Sequence, residues 1–293
     1  MNDSQKQTVQ WFPGHMAKTR RQIKESLRLV DAVTELRDAR VPMSSCNPEL
    51  SELIAGKPHI VLLNKCDMAD DNATKKWLSH LKEQGLHALA VDCRTGKGLN
   101  AYAPLIREVL REKIESNEAK GMAGRPLRVM VVGIPNTGKS LFINRMAGRN
   151  RAKVADKPGV TRQNNWFVIG NGIELLDTPG VLWPKFEDPR VGDKLAFIGS
   201  VKDEVLDPEL LACRLLDVMA RDYPDRLKER YKLPDFSDLE SYELLELIGR
   251  KRGMLISGGE INTERAAITL LDEYRGGKLG KITMELPEDE TEE

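Results

Sequence analysis

Leu127-Arg128-Val129-Met130-Val131-Val132-Gly133-Ile134-Pro135-Asn136-Thr137-Gly138-Lys139-Ser140 is the stretch on which the fold turns. An apolar, β-branched run leads straight into G-x-x-x-x-G-K-S, and residues 140–147 continue as a helix. Strand, glycine-rich loop and helix in that order make a phosphate cradle. The loop N–H groups wrap an anion and the helix N-terminus adds positive potential. Asn136, Thr137, Gly138, Lys139, Ser140 and Leu141 are the candidate contacts. Lys139 would bridge β- and γ-phosphates, and Ser140 would ligate Mg²⁺.

Downstream, residues 166–169 and 173–176 read as a hairpin about Gly170-Asn171-Gly172, a turn signal. Its second strand ends at Asp177-Thr178-Pro179-Gly180. Asp177 would hold Mg²⁺ through a water, and Gly180 would offer its N–H to the γ-phosphate. Alone, D-T-P-G serves equally well as a turn. Thr161, in Pro158-Gly159-Val160-Thr161, lies where a switch threonine would ligate Mg²⁺ and sense the γ-phosphate. An ordinary loop threonine is the plainer reading.

Upstream, the apolar run 59–63 delivers Asn64-Lys65-Cys66-Asp67. A carboxylate at Asp67 accepts from guanine N1–H and the exocyclic amino group. Adenine offers neither donor there and would leave a buried acceptor unpaired. Lys65 would lie along the base and Asn64 would brace the loop. A second apolar run, 87–91, delivers Asp92-Cys93-Arg94 where a Ser-Ala-Lys loop would usually support the base, which makes Cys93 a candidate contact. The base reader therefore precedes the phosphate loop, the reverse of the ordinary order. These motifs together imply a circularly permuted P-loop GTPase domain.

Strands and helices alternate as far as residue 205, which implies an α/β fold with a mostly parallel sheet. Residues 17–30, 73–84 and 99–115 read as helices and 32–36 as a strand. After 205 the pattern is helical (208–223, 238–252, 262–276). The expected organisation is a permuted GTPase domain over 1–205, an all-helical RNA-binding domain over 206–284 and an acidic disordered tail over 285–293.

The 293 residues are 40% hydrophobic and 31% charged, with equal acid and base. No run is apolar enough to span a membrane, and residues 1–10 lack the apolar core of a signal peptide. The four cysteines form no C-x-x-C pair and read as reduced thiols. The chain is expected to be cytoplasmic and monomeric. Lys18, Arg20, Arg21, Lys24 and Arg28 make one basic helix, with Arg40 nearby; Arg250, Lys251 and Arg252, with Lys278 and Lys281, make a second basic patch. Such clusters bind RNA phosphates or simply face solvent.

With its permuted order, the chain resembles the YlqF/YawG group of circularly permuted TRAFAC GTPases. Trp11-Phe12-Pro13-Gly14-His15-Met16, Asp38-Ala39-Arg40, Pro158-Gly159-Val160-Thr161 and Gly277-Lys278-Leu279-Gly280-Lys281-Ile282-Thr283 also carry the resemblance. It implies GTP/GDP as substrate with Mg²⁺, and a partner in the large (50S) ribosomal subunit precursor and its rRNA, with no membrane or DNA role. Val181 stands where many GTPases keep a water-orienting glutamine. The resemblance offers His15 as the catalytic replacement; an RNA contact or a structural role is the alternative. Asn136, in G-x-P-N-x-G-K-S, resembles the K⁺ ligand of potassium-activated GTPases. Hydrolysis is expected to be slow alone and faster with ribosomal particles and K⁺. The competing reading is a GTP-dependent scaffold on another RNA, small-subunit or tRNA, with incidental hydrolysis.

Overall fold

The computed structural model describes residues 16–148, 165–183, 186–201 and 206–288, with side chains from residue 20 onward. They fall into two compact units, one comprising residues 11–185 and 283–293 and the other chiefly residues 186–282.

The first unit is built on six strands: β1 (Ala32–Asp38), β2 (His59–Asn64), β3 (His87–Val91), β4 (Leu127–Val132), β5 (Asn165–Gly170) and β6 (Ile173–Asp177). Their order is β3-β2-β1-β4-β6-β5, parallel except for β5 against β6. β1 and β4 carry apolar residues on both faces, as central parallel strands do. Ala32, Leu36, Val129 and Val131 pack into one core and Val33, Met130 and Val132 into another. From the β1–β4 pair the chain builds β2 and β3 on one side and β6 and β5 on the other. That makes a topological switch point, where α/β sheets open a ligand crevice beyond the carboxyl ends of the strands. The candidate motifs after β2, β4 and β6 all lie at those ends.

Helices α1 (Met16–Ser26), α2 (Pro48–Ile54), α3 (Asp71–Glu83), α4 (Tyr102–Val109), α5 (Arg111–Ala119) and α6 (Lys139–Ala147) belong to this unit. Ile23, Leu27 and Val30 bury the apolar stripe of the first helical segment beside Leu50 and Ile54 of α2. On the other face Phe142 of α6 meets Tyr102 of α4 edge-on at 5.0 Å, and the Tyr102 hydroxyl bonds Thr34 at 2.8 Å. Burying one such aromatic contributes roughly 1.5–3 kcal/mol. The single helix expected over 99–115 is a 3-10 turn followed by α4 and α5. Leu110 is off helical geometry, yet its N–H bonds Ile106 O and its carbonyl accepts from Ile114 N–H. The helix is kinked there rather than ended.

The second unit is helical: α7 (Pro189–Phe197), α8 (Pro208–Asp222), α9 (Pro224–Tyr231), α10 (Ser241–Lys251) and α11 (Thr263–Arg275). α7 lies before the boundary expected near 205, but it belongs here. Arg214 of α8 pairs with Asp193 at 2.7 Å, and Arg275 of α11 donates to Ala196 O at 2.9 Å. Short helices with proline in the first turn (α2, α7, α9) escaped the periodicity reading. Asn47 and Asp188 cap two of them.

The expected solvated tail from Glu285 is a second correction. Glu285 is 1% exposed and accepts from Met43 N–H and from the Ser44 N–H and hydroxyl. Three donors satisfy the carboxylate, so its first residues dock. Among the described residues, no helix is long and apolar enough to cross a membrane.

Candidate nucleotide site

The 133–140 loop and the end of β6 enclose an open cleft of about 590 Å³, lined by residues that include Asn136, Lys139, Ser140, Leu141, Asp177 and Gly180. A smaller hollow of about 270 Å³, near Arg107, Leu127 and Gly172, opens at the start of β4, away from these loops. The cradle depends on missing side chains. At Gly138, φ is +98° and a Cβ would sit 2.4 Å from Asn64 Nδ2. At Gly180 a Cβ would lie 2.8 Å from Pro135 N and 2.9 Å from Lys139 Nζ. Both glycines leave backbone bare, as close approach to an anion requires.

Lys139 opens α6 and is buried, with Nζ donating to Ile134 O at 2.6 Å. Burial lowers its pKa to about 8, against the pull of Asp177. Burial likewise raises the Asp177 carboxyl, opposed by Lys139. Thr137 is fully buried and its hydroxyl bonds Ile134 O at 3.0 Å, so it shapes the loop. Asn136 is exposed at φ 62° and Ser140 is exposed. Ser140 and Asp177 supply the hydroxyl and carboxylate oxygens that a hard divalent cation prefers, on one cleft. The Val181 side chain packs against the apolar cluster of Met130, Trp166 and Leu176 and carries no polar atom. His15 and Thr161 lie outside the described residues, as does the side chain of Lys18.

At the base-reading end, Asn64 is 2% exposed. Its Nδ2 donates to Thr137 O at 2.7 Å and its Oδ1 accepts from Cys93 N–H at 3.0 Å. One amide thus joins the base reader, the phosphate loop and the 92–94 loop. Cys93 is thereby a brace: its N–H is engaged by Asn64, and burial raises its thiol pKa to about 12. Lys65 adopts φ 61° and pairs with Asp38 at 3.0 Å. Arg94 takes Asp67 Oδ2 at 3.1 Å, while Asp67 Oδ1 is buried with no hydrogen-bond partner among the described residues. Such an orphan costs about 1–3 kcal/mol. The two adjacent donors of guanine are the complement it lacks.

Asp38 was missed by sequence reasoning as a site residue. It is fully buried, and Arg40 and Lys65 hold its carboxyl below the usual carboxylate range although burial opposes them. Charged residues ending an otherwise apolar strand were the available signal. Arg40, expected beside the RNA-facing helix, is 1% exposed and clamps Asp38 at 2.8 Å. A buried, paired guanidinium does not face phosphates.

On α1, Arg20 pairs with Glu49 at 3.6 Å and Arg21 with Glu25 at 2.9 Å, while Lys24 is exposed. Arg250 and Lys251 are exposed at the end of α10. Arg252 bonds Glu273 at 3.2 Å and lies over the Tyr231 ring, so it serves the helical core as well.

A family model described as a 50S ribosome-binding GTPase matches residues 128–226. Ribosome biogenesis GTPase A of Bacillus cereus is 48% identical over 281 residues, 96% of this chain and 95% of that protein. The protein of that name from Thermotoga maritima is 36% identical over 283 residues, 97% of this chain and 96% of its own length. The GDP-bound structure of TM YlqF superposes with a TM-score of 0.66 at 33% identity, covering 92% of this chain and all of that one (100%). With a permuted cleft whose orphan acceptor suits guanine, and relatives matched along nearly their full length, the chain belongs to the ribosome biogenesis GTPase A family of circularly permuted P-loop GTPases.

Proposed function

We propose that this GTPase acts in the cytoplasm on the immature 50S subunit, promoting its late maturation, with GTP hydrolysis timing its release. The nucleotide side rests chiefly on Asp67 Oδ1, a buried acceptor with no donor among the described residues. The ribosomal side rests on the names of the relatives and of the matching family. Exposed Arg20, Arg21, Lys24, Arg250 and Lys251 are the candidate rRNA contacts, with Lys18 and the bifunctional Arg252. Binding through them weakens steeply with salt.

Asn64, Lys65 and Asp67 select guanine. The 133–140 loop, with Lys139 and Leu141, holds the phosphates, and Gly180 reports the γ-phosphate. Ser140, Asp177 and Thr161 are the proposed Mg²⁺ ligands; the ion they would hold would neutralise phosphate charge. Asn136 is the proposed K⁺ ligand, and equal turnover in K⁺ and Na⁺ would remove that assignment. His15 is proposed to orient the attacking water, since Val181 cannot. Val181 also favours a second reading, a GTP-dependent RNA scaffold with incidental hydrolysis.

Sedimentation with ribosomal particles separates these readings. The 50S precursor should retain the monomeric protein with a GTP analogue and release it with GDP, and particles should stimulate hydrolysis. Preference for small subunits or tRNA, or particle-independent turnover, would sink the assembly reading.

A further inference from the structure

The loop leaving β1 is gripped on one side by the base reader and on the other by the chain's last described residues. Ala39 N–H donates to Asn64 O at 2.8 Å, and Asp38 holds Lys65. The Ser45 hydroxyl closes the loop on itself, accepting from Asp38 N–H at 3.0 Å and donating to Val41 O at 2.6 Å. The segment 283–288 then lies across it. Met284 N–H donates to Arg40 O at 2.8 Å, and the Glu285 carboxylate takes the Met43 N–H at 2.8 Å, the Ser44 N–H at 3.0 Å and the Ser44 hydroxyl.

The same segment grips the far flank of the base reader. Asp70 N–H, at the cap of α3, donates to Thr283 Oγ1 at 3.0 Å, and Trp77 Nε1 donates to Glu285 O at 2.9 Å. The 64–67 loop is therefore held from both sides by residues distant in sequence. None of these bonds touches the nucleotide cleft directly.

We propose that Glu285, with Thr283, is a positioning residue for guanine-nucleotide binding, acting on the 64–67 loop through residues 38–45 and Asp70. The physical reason is the cost of slack. Lys65 is held at φ 61°, and a non-glycine residue keeps that conformation only while its surroundings over-determine it. Removing the carboxylate frees two N–H groups and a hydroxyl, and the loop that carries Asp38 loosens with them. Lys65 then loses its fixed partner, and Asp67 its fixed distance to the base.

The inference rests on guanine reading by Asp67, and preference of the wild type for GDP over ADP checks that reading separately. The test uses the full chain and fluorescent GDP release. Glu285→Ala should speed release about tenfold, from hydrogen bonds to a charged group lost at a distance from the ligand. Glu285→Gln should recover part of this. Discrimination of GDP over IDP, whose base lacks the amino donor to Asp67, should shrink. In a Lys65→Ala background the Glu285→Ala effect should largely vanish, because the two act along one path.

Equal weakening of GDP and IDP, full additivity with Lys65→Ala, or unchanged release with a lowered melting temperature would each overturn the proposal. Should Glu285→Ala fail to fold, Thr283→Val removes the acceptor for Asp70 N–H at almost constant volume. Faster GDP release with reduced GDP/IDP discrimination would then support the positioning role, and unchanged release would overturn it.

Discussion

At the base end of the cleft, Asn64, Asp38 and Cys93 are buried; Asn64 accepts from Cys93 N–H, and Asp38 is ion-paired with Lys65. At the phosphate end, Asn136, Ser140, Pro179 and Gly180 are exposed around buried Thr137 and Lys139, and the rim is largely glycine backbone. The contrast follows from what each end receives. A base is told from its analogues by acceptors and donors fixed in place, because rejection comes from groups left unpaired. A phosphate chain brings charge and a metal ion, and must be free to leave after hydrolysis. Rigid pairing at one end and bare backbone at the other divide specificity from turnover.

The strongest way to break this contrast is to remove the charge at the centre of the rigid end. Asp38→Ala leaves Arg40, 1% exposed, and Lys65 without their shared carboxylate. Stripping one partner from a buried ion pair costs about 3–5 kcal/mol. Unfolding in urea should register that loss, and GDP affinity should fall with it. A Ser140→Ala change at the open end should leave the urea midpoint nearly unmoved while weakening nucleotide binding in Mg²⁺. Equal destabilisation by the two would erase the distinction.

Much of the open end was legible in the sequence and less of the rigid end. The 133–140 loop is local: strand, glycines and helix are consecutive, so spacing alone specifies the cradle. The permuted sheet was legible for the same reason, since each motif announces the strand that delivers it. Asp38 and Arg40 pair locally, yet their burial depends on Lys65 and Met284 from other parts of the chain, and Glu285 finds its donors far away, so none of the three was legible. Glu285 meets Ser44 across almost the whole sequence, and an acidic C-terminal run reads as solvated until its donors are seen. Arg40 looked basic and available for the same cause. Pairwise burial of charge is a tertiary property, and no periodicity encodes it.

The open end has its own sensitive group. Lys139 is nearly neutralisable, with a pKa of about 8 in the free protein against 10.5 for an ordinary lysine. Phosphates bound at its ammonium raise that value, so nucleotide binding takes up a proton above pH 8. Affinity is therefore complete below about pH 8 and falls as pH rises, by up to about tenfold per unit. Folding stability of the free protein runs the other way. Its lysine binds a proton less tightly than the unfolded chain does, so stability improves as pH climbs from about 8 toward 10.5. GDP titrations at pH 7.5 and 9 should show the loss, and Lys139→Met should flatten it. A flat profile in the unaltered protein would mean that the cleft does not use this ammonium.

The smallest expected effect sits where the two ends meet. Asn47 caps α2, accepting from Leu50 N–H, and its Nδ2 reaches Val181 O at 3.0 Å, one residue beyond Gly180. It thus ties the gripped 38–47 loop to the segment expected to follow the γ-phosphate. Asn47→Ala removes both bonds and should cost about 1 kcal/mol of stability, the usual worth of a cap. Its informative readout is the ratio of affinities for a GTP analogue and GDP. If Asn47 carries the γ-phosphate signal from the open end into the rigid one, that ratio moves while guanine-over-adenine preference holds. If it is only a cap, the ratio stays and the melting temperature alone falls, and the two ends of the cleft are then mechanically independent.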